Sequence, residues 1–227
     1  MAQKIAAIQQ KGGAGKSTML ACLAGHMASD RAKVLIIDTD PQRSCLEWAE
    51  EQELKNLDVV SHLAEDTLLD LIENVDDRYD TILIDTAGYD SRMATYVIQA
   101  SDLILIPTGG SKKDVLGAVR TWKHARTLTE KYREPPDVRI ALWNVNRTTN
   151  VFQHARTALE QAELPLLRSA TASLTGFNVM SWNGGLPSGT AAVAIKSFVA
   201  ALQIENLLSF YVREGDQSSM EMSHGHA

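Results

Sequence analysis

Cysteine is almost missing from this chain: Cys22 and Cys45 stand alone among 227 residues, with no CxxC pair. A disulfide framework and a four-cysteine zinc site within one subunit are therefore excluded, and both residues read as small buried side chains. Long apolar runs are missing too, since none approaches the roughly 20 residues that a bilayer-crossing helix needs. The chain enters an apolar strand almost at once and shows no signal peptide, so a cytoplasmic location is expected. Excess positive charge is the third absence. With 22 Lys and Arg against 28 Asp and Glu, the net charge is −6. That argues against a constitutively basic nucleic-acid binder and leaves room only for a local basic patch on one face.

What is present is an ordinary globular composition, 44% hydrophobic and 22% charged, in a chain long enough for one large α/β domain. Apolar runs alternate with amphipathic stretches, without internal repeat or long linker. This predicts repeated βα units around a mostly parallel, twisted sheet with helices on both faces. Predicted strands are Ile5–Ile8, Val34–Asp38, Val59–Ser61, Thr81–Asp85, Leu103–Pro107, Arg139–Val145 and Leu166–Ala170. Several are near-continuous apolar runs, as strands buried on both faces require. Predicted helices are Lys16–Ser29, Arg43–Leu54, Thr67–Glu73, Ser91–Ala100, Lys113–Tyr132, Val151–Ala162 and Ala191–Tyr211. Residues 1–213 are expected to form a single domain. The polar tail, 214–227, is expected to be disordered; His224 and His226 read as part of an untethered terminus, with weak metal binding the lesser alternative.

The stretch Lys11-Gly-Gly-Ala-Gly-Lys-Ser-Thr18 follows the first strand and opens the first helix. Gly12, Gly13, Ala14 and Gly15 are small enough for the backbone to curl until successive N–H groups face a polyphosphate. The positive end of the helix adds to that attraction. Lys16 would reach the β- and γ-phosphates, and the Ser17 hydroxyl would be a direct Mg²⁺ ligand. The first glycine of the general pattern G-x-x-x-x-G-K-[ST] is replaced by Gln10 or Lys11, depending on register. The fold expected is that of a P-loop NTPase.

Two further strands end in acids: Val34-Leu-Ile-Ile-Asp-Thr-Asp-Pro-Gln42 and Thr81-Ile-Leu-Ile-Asp-Thr-Ala-Gly88. Ligands of open α/β sheets lie beyond the carboxyl ends of the strands, so Asp38, Asp40 and Asp85 should converge on the phosphate loop. Hard carboxylates there hold Mg²⁺ through its water shell, and one set further out can orient an attacking water. A single acid ending a strand often only caps the next helix. Two such strands after a phosphate loop form a constellation.

These three motifs resemble those of the ParA/MinD superfamily of ATPases, whose deviant Walker A motif carries an extra lysine, here Lys11. Asp38-Thr-Asp-Pro-Gln42 is similar to the family's switch I, and Ile84-Asp-Thr-Ala-Gly88 to its Walker B and switch II. Ser101-Asp-Leu-Ile-Leu-Ile-Pro107, with Asp114 downstream, resembles the next strand and loop. Val145-Asn146-Arg147 looks like the adenine-side segment and Gly185-Leu-Pro187 like the later base-flanking loop. The resemblance covers about residues 3 to 210. It implies that Lys16, Ser17 and Thr18 bind phosphate and Mg²⁺, that Asp38 and Asp85 support the Mg²⁺ shell, and that Asp40 positions the hydrolytic water. It also implies that Asn146 and Pro187 flank the adenine of ATP, and that Lys11 reaches across a homodimer to the partner's nucleotide. A second cation there would spread charge off the transferred phosphoryl group.

Within the superfamily, the end of the chain lacks the basic amphipathic helix of membrane-binding relatives, so no membrane partner is expected. Cys22 and Cys45 do not match the cluster cysteines of nitrogenase-reductase-like relatives. The chain looks most like the small ParA-type partition ATPases without an N-terminal DNA-binding domain. That implies nonspecific, nucleoid-associated DNA binding by the ATP dimer and a ParB-like or cargo-adaptor protein as activator. The candidate DNA face is Arg120, Lys123 and Arg126, with His124 and Lys131, on the Lys113–Tyr132 helix; a plain solvated face is an equal reading. Lys112, Arg147, Arg156, Arg168 and Lys196 are further candidates. Two stretches depart from the family pattern. Gly109-Gly-Ser111 replaces a Pro-Ser pair, which should make that loop more flexible. Ala170-Thr-Ala-Ser173 lacks the usual Arg, the nearest base being Arg168. The alternatives are a ParA-like accessory ATPase for DNA transfer or for positioning a protein cargo, such as a chemoreceptor array or microcompartment, and, further off, a P-loop metabolic ligase, which leaves Lys11 unexplained.

Overall fold

Period-two burial on both faces of the central strands sets the architecture. The computed structural model describes residues 1–51, 54–88 and 92–210. Strands β1 (Gln3–Ala7), β2 (Val34–Asp38), β3 (Leu57–Ser61), β4 (Thr81–Asp85), β5 (Leu103–Thr108), β6 (Asp137–Val145) and β7 (Leu166–Ala172) make one sheet, in the order β3-β2-β4-β1-β5-β6-β7. Every pairing is parallel. Successive residues along each strand enter opposite cores: Ile5, Ile36, Leu83 and Leu105 lie in one, and their neighbours Ala6, Ile37, Ile84 and Ile106 in the other. The first core is covered by α1 (Lys16–Ser29), α2 (Ser44–Glu50), α7 (Thr175–Asn183) and α8 (Gly189–Ile204). The second lies under α3 (Leu68–Val75), α4 (Arg92–Ala100), α5 (Lys112–Thr129) and α6 (Asn150–Gln161). This is the expected α/β sheet with helices on both faces.

Three helices stop short of the ends that the sequence predicts. Helix α5 stops at Thr129, so Lys131 and Tyr132 lie beyond it. Helix α2 ends at Glu50, well short of Leu54. Helix α8 ends at Ile204 because Asn206 takes a left-handed φ of 56°, with Leu207 N donating to Leu202 O and Asn206 N to Gln203 O. This is a Schellman-type stop built on asparagine, which tolerates that conformation.

One helix was absent from the sequence reading altogether. The α7 segment holds Gly, Asn, Val and Ser, all weak helix formers, and tertiary packing forms it instead. Phe177 and Met180 are buried, and a Cβ on Gly176 would lie 2.6 Å from that of Ala191, so glycine lets α7 close on α8. Both cysteines are buried, as expected. Among the described residues, no helix is long and apolar enough to cross a membrane. The predicted tail, 214–227, lies outside the described residues.

Candidate functional site

Strand β1 stands between β4 and β5, so the Lys11–Thr18 loop emerges beside the carboxyl ends of both. Gly13 and Gly15 adopt left-handed φ values of 72° and 90°, which glycine alone reaches without strain. Gly15 is needed for a second reason. A Cβ there would sit 2.6 Å from Trp143 Cδ1. Trp143 is 2% exposed and packs on Phe177 and Phe198, with ring centroids 5.6 and 5.3 Å away. The first turn of α1 has no side-chain cap and no acidic residue, so its N–H groups and its positive end face the loop without a competing anion.

Strands β2 and β4 are adjacent and in register, which places Asp38 opposite Asp85, and Ala7 of β1 pairs with Asp85 on the other side. Both acids are fully buried. Asp38 accepts backbone N–H bonds from Asp40, Cys45 and Leu46 at 3.0, 2.9 and 3.1 Å. Burial still raises its carboxyl above the ordinary value, outweighing those bonds, with the Asp40 charge adding to the rise. Asp85 is pushed up to about 6, chiefly by burial; the Ser17 hydroxyl, the Lys16 charge and the Cys45 thiol pull it back, while Asp38 adds repulsion. The Cys45 thiol donates to Asp85 Oδ2 at 3.4 Å, and burial, then the Asp85 and Asp38 charges, raise it well above the usual thiol range. Ligand atoms of Asp38, Cys45 and Asp85 all lie within 4.8 Å of one another.

Lys16 is 7% exposed, and its Nζ donates to Ala87 O at 3.2 Å. Asp40 stands at the rim, accepting from Gln42 N at 2.9 Å. Lys11 turns back within its own subunit, its Nζ 2.5 Å from Asp114 Oδ1. Asp114 also closes a capping box with Ser111, accepting from Ser111 Oγ at 2.6 Å and Ser111 N at 3.1 Å. Burial would raise the Asp114 carboxyl, but the bonds from Lys11 and Ser111 prevail and hold it below the ordinary value. The departure at Gly109 now has a steric reason, because a Cβ there would lie 2.6 Å from Asp114 Oδ2.

Asn146 follows the end of β6, its Oδ1 accepting from Thr148 N and Oγ1 at 3.2 and 2.8 Å. Pro187 is half-buried in the loop between α7 and α8. Arg120, Lys123 and Arg126 are exposed along α5, which runs from beside Asp114 toward the amino end of β6, where Arg126 lines a groove with Trp122 and Arg139. Arg168 is exposed on the edge strand β7. The structure thus gathers Lys16, Ser17, Asp38 and Asp85 closely, keeps Asp40 and Lys11 at the rim, and leaves the four candidate DNA contacts outside this cluster.

Several residues that shape the site escaped the sequence reading. Gln9, 1% exposed, accepts from Gln10 N and Thr121 Oγ1 and donates to Pro107 O, tying the loop's entry to β5 and α5. A polar residue directly after an apolar strand was the only signal for it. Trp143 read simply as a strand residue, and Trp48 as part of a helix.

The family described as VirC1 protein matches residues 2–207. The chain belongs to the VirC1 family. It is thereby an ATPase of the ParA/MinD superfamily, of the small partition type. The protein ParA of Rhizobium radiobacter is 36% identical over 98 residues, a match spanning 43% of this chain and 44% of that protein. Maintenance of carboxysome distribution protein A of Gloeobacter kilaueensis is 27% identical over 192 residues, covering 79% of this chain and 85% of that protein. Among solved structures, apo McdA of Cyanothece superposes with a TM-score of 0.75 at 17% identity, over 89% of this chain and 100% of that one, a likeness of fold. In this VirC1-family ATPase the Lys11–Thr18 loop and both strand-end acids lie at the carboxyl ends of the interior strands β1, β2 and β4, where that fold class binds ligands.

Proposed function

We propose that this chain is a Mg²⁺-dependent ATPase that dimerises around ATP, binds duplex DNA without sequence preference, and uses slow, partner-stimulated hydrolysis to partition a plasmid or chromosome. The observation that carries it is the convergence of Lys16, Ser17, Asp38 and Asp85 beside the left-handed glycines of the phosphate loop. Gly12, Gly13, Ala14, Gly15, Lys16 and Thr18 hold the triphosphate, Lys16 by charge and the others through the loop. Asn146 and Pro187 flank the base, and Asp40 orients the attacking water. Lys11 leaves Asp114 to stabilise the partner's nucleotide. Arg120, Lys123, Arg126 and Arg168 take phosphates of DNA, each contact releasing counterions. Residues 1–213 act as one domain.

The donor set suits Mg²⁺: Ser17 offers a hydroxyl and Asp38 and Asp85 offer hard carboxylate oxygens. Cys45 beside them offers a soft sulfur, which Mg²⁺, a hard ion that takes oxygen ligands, does not select. When bound, Mg²⁺ supplies positive charge against the triphosphate oxygens. The test is phosphate release with ATP and Mg²⁺, alone and with DNA, alongside sedimentation with and without ATP. ATP-dependent dimers with turnover support the reading; a monomer whose turnover needs a small metabolite would replace it with a P-loop ligase. Positioning of a protein cargo is the second reading, favoured by the carboxysome-distribution relative that aligns over 79% of this chain.

A further inference from the structure

Two contacts fasten the loop between α7 and α8 to α1 and α2, helices far away in sequence. Trp48, near the end of α2 and 8% exposed, donates from Nε1 to Gly185 O at 3.0 Å. Gly184 and Gly185 have φ values of 64° and 86°, so the carbonyl is presented by backbone that only glycine adopts freely. Leu186 packs against Gly25 in the middle of α1, so closely that a Cβ on residue 25 would collide with its terminal methyl. Glycine weakens a helix interior, and Leu186 supplies the reason for it here. The two anchors sit on consequential helices. Helix α1 begins at the phosphate loop, and α2 carries the Cys45 and Leu46 N–H groups that hold Asp38.

We propose that Trp48 and Gly25 are positioning residues: they set where residues 184–187 stand relative to the phosphate loop, and so how firmly the base of a nucleoside triphosphate is gripped. This rests on the reading of Pro187 as a base-side residue. The phosphate end and the base end of the site are then built on the same two helices, and a change at either anchor alters base recognition while phosphate binding persists.

The experiment compares the affinity of the full chain for ATP, GTP and inorganic tripolyphosphate, each with Mg²⁺. The unmodified chain should bind ATP more tightly than the other two. Trp48→Phe keeps an aromatic ring and deletes the donor; it should weaken ATP about five- to tenfold, the worth of one net hydrogen bond, and leave tripolyphosphate unchanged. Gly25→Ala drives Leu186 off α1 and should shift ATP in the same direction. Gly25→Ala with Leu186→Ala returns the space and should recover part of the loss, which keeps the test open if Trp48→Phe folds poorly. Equal losses for ATP and tripolyphosphate, or an ATP-to-tripolyphosphate ratio that neither Trp48→Phe nor Gly25→Ala moves, would overturn the proposal. An unmodified chain that binds all three compounds alike would overturn the base-side reading beneath it, and does so without any variant.

Discussion

Lys11 and Asp114 form an ion pair of 2.5 Å inside one subunit, with the lysine side chain 54% exposed and the acid 11%. The same lysine is the residue assigned to the partner's nucleotide, and it cannot serve both at once. On the proposed reading the pair opposes dimerisation by its own strength, at most about 1 kcal/mol for so open a lysine. Asp114→Asn keeps an acceptor for Ser111 and removes the charge. The ATP concentration for half-maximal dimerisation, read by sedimentation, should fall about two- to fivefold. An unchanged threshold means the pair is inert. Lys11→Ala should retain ATP binding and lose both stable dimers and hydrolysis; normal hydrolysis by a monomer would defeat the assignment.

Lys16 and Asp40 separate binding from chemistry. Lys16 is buried beside Ala87 O and the acids, where its charge is poorly replaced by water. Lys16→Ala should abolish nucleotide binding and dimerisation together. Asp40 stands at the rim and, among the described residues, its side chain holds the backbone of its own turn. Asp40→Ala should bind ATP, accumulate as a dimer and release no phosphate. Nucleotide affinity and phosphate release measured on both variants decide the matter, and an Asp40→Ala protein that turns over normally removes it from the chemistry.

The central strands were legible because parallel strands covered on both faces must be near-continuous apolar runs, and Val34–Asp38 and Thr81–Asp85 match residue for residue; the edge strands β3 and β7, only half-buried, carry Asp58 and Arg168 and a weaker signal. The convergence of Asp38 and Asp85 followed from their place at strand ends. What stayed hidden depends on contacts distant in sequence. Nothing near Lys11 announces Asp114, nothing near Gly15 announces Trp143, and nothing near Trp48 announces Gly185. Helix α7 was hidden because its propensity is poor, although Leu174, Phe177 and Met180 recur at a spacing of three and could have marked its buried face.

Arg120, Lys123 and Arg126 are exposed on α5 and take part in no ion pair among the described residues. Single subunits of an acidic chain should bind DNA weakly, whereas two such faces joined by ATP bind through combined contacts. DNA affinity should rise with ATP, fall steeply with salt and ignore sequence. Replacing all three by Glu should weaken it while ATP affinity holds. Binding that ATP does not change, or that is undetectable at low salt, would count against the nucleoid model and favour a protein cargo.

Asp85 makes the nucleotide-free protein sensitive to pH in an unusual direction. Its carboxyl titrates at about 6 in the fold against an ordinary 3.8, and burial raises Asp38 as well. Between about pH 4 and pH 6 the folded chain therefore holds more protons than the unfolded one, so this contribution to stability is full below that window and lost as pH rises through it. For Asp85 alone the difference amounts to roughly 3 kcal/mol. Asp114 runs the other way, but its stabilisation disappears only below the ordinary carboxylate range and leaves the interval from pH 5 to 7 clear. Without nucleotide, the thermal midpoint should rise on acidification from pH 7 to 5. Asp85→Asn should be more stable than the unmodified chain at pH 7, show a flatter profile and bind Mg²⁺ with ATP poorly, because the carboxylate that costs stability is the one that serves the site. Protons and the metal compete for that carboxylate, so ATP affinity with Mg²⁺ should weaken as pH falls through 6. A thermal midpoint for the unmodified chain that is level from pH 7 to 5 would show that burial does not strain Asp85.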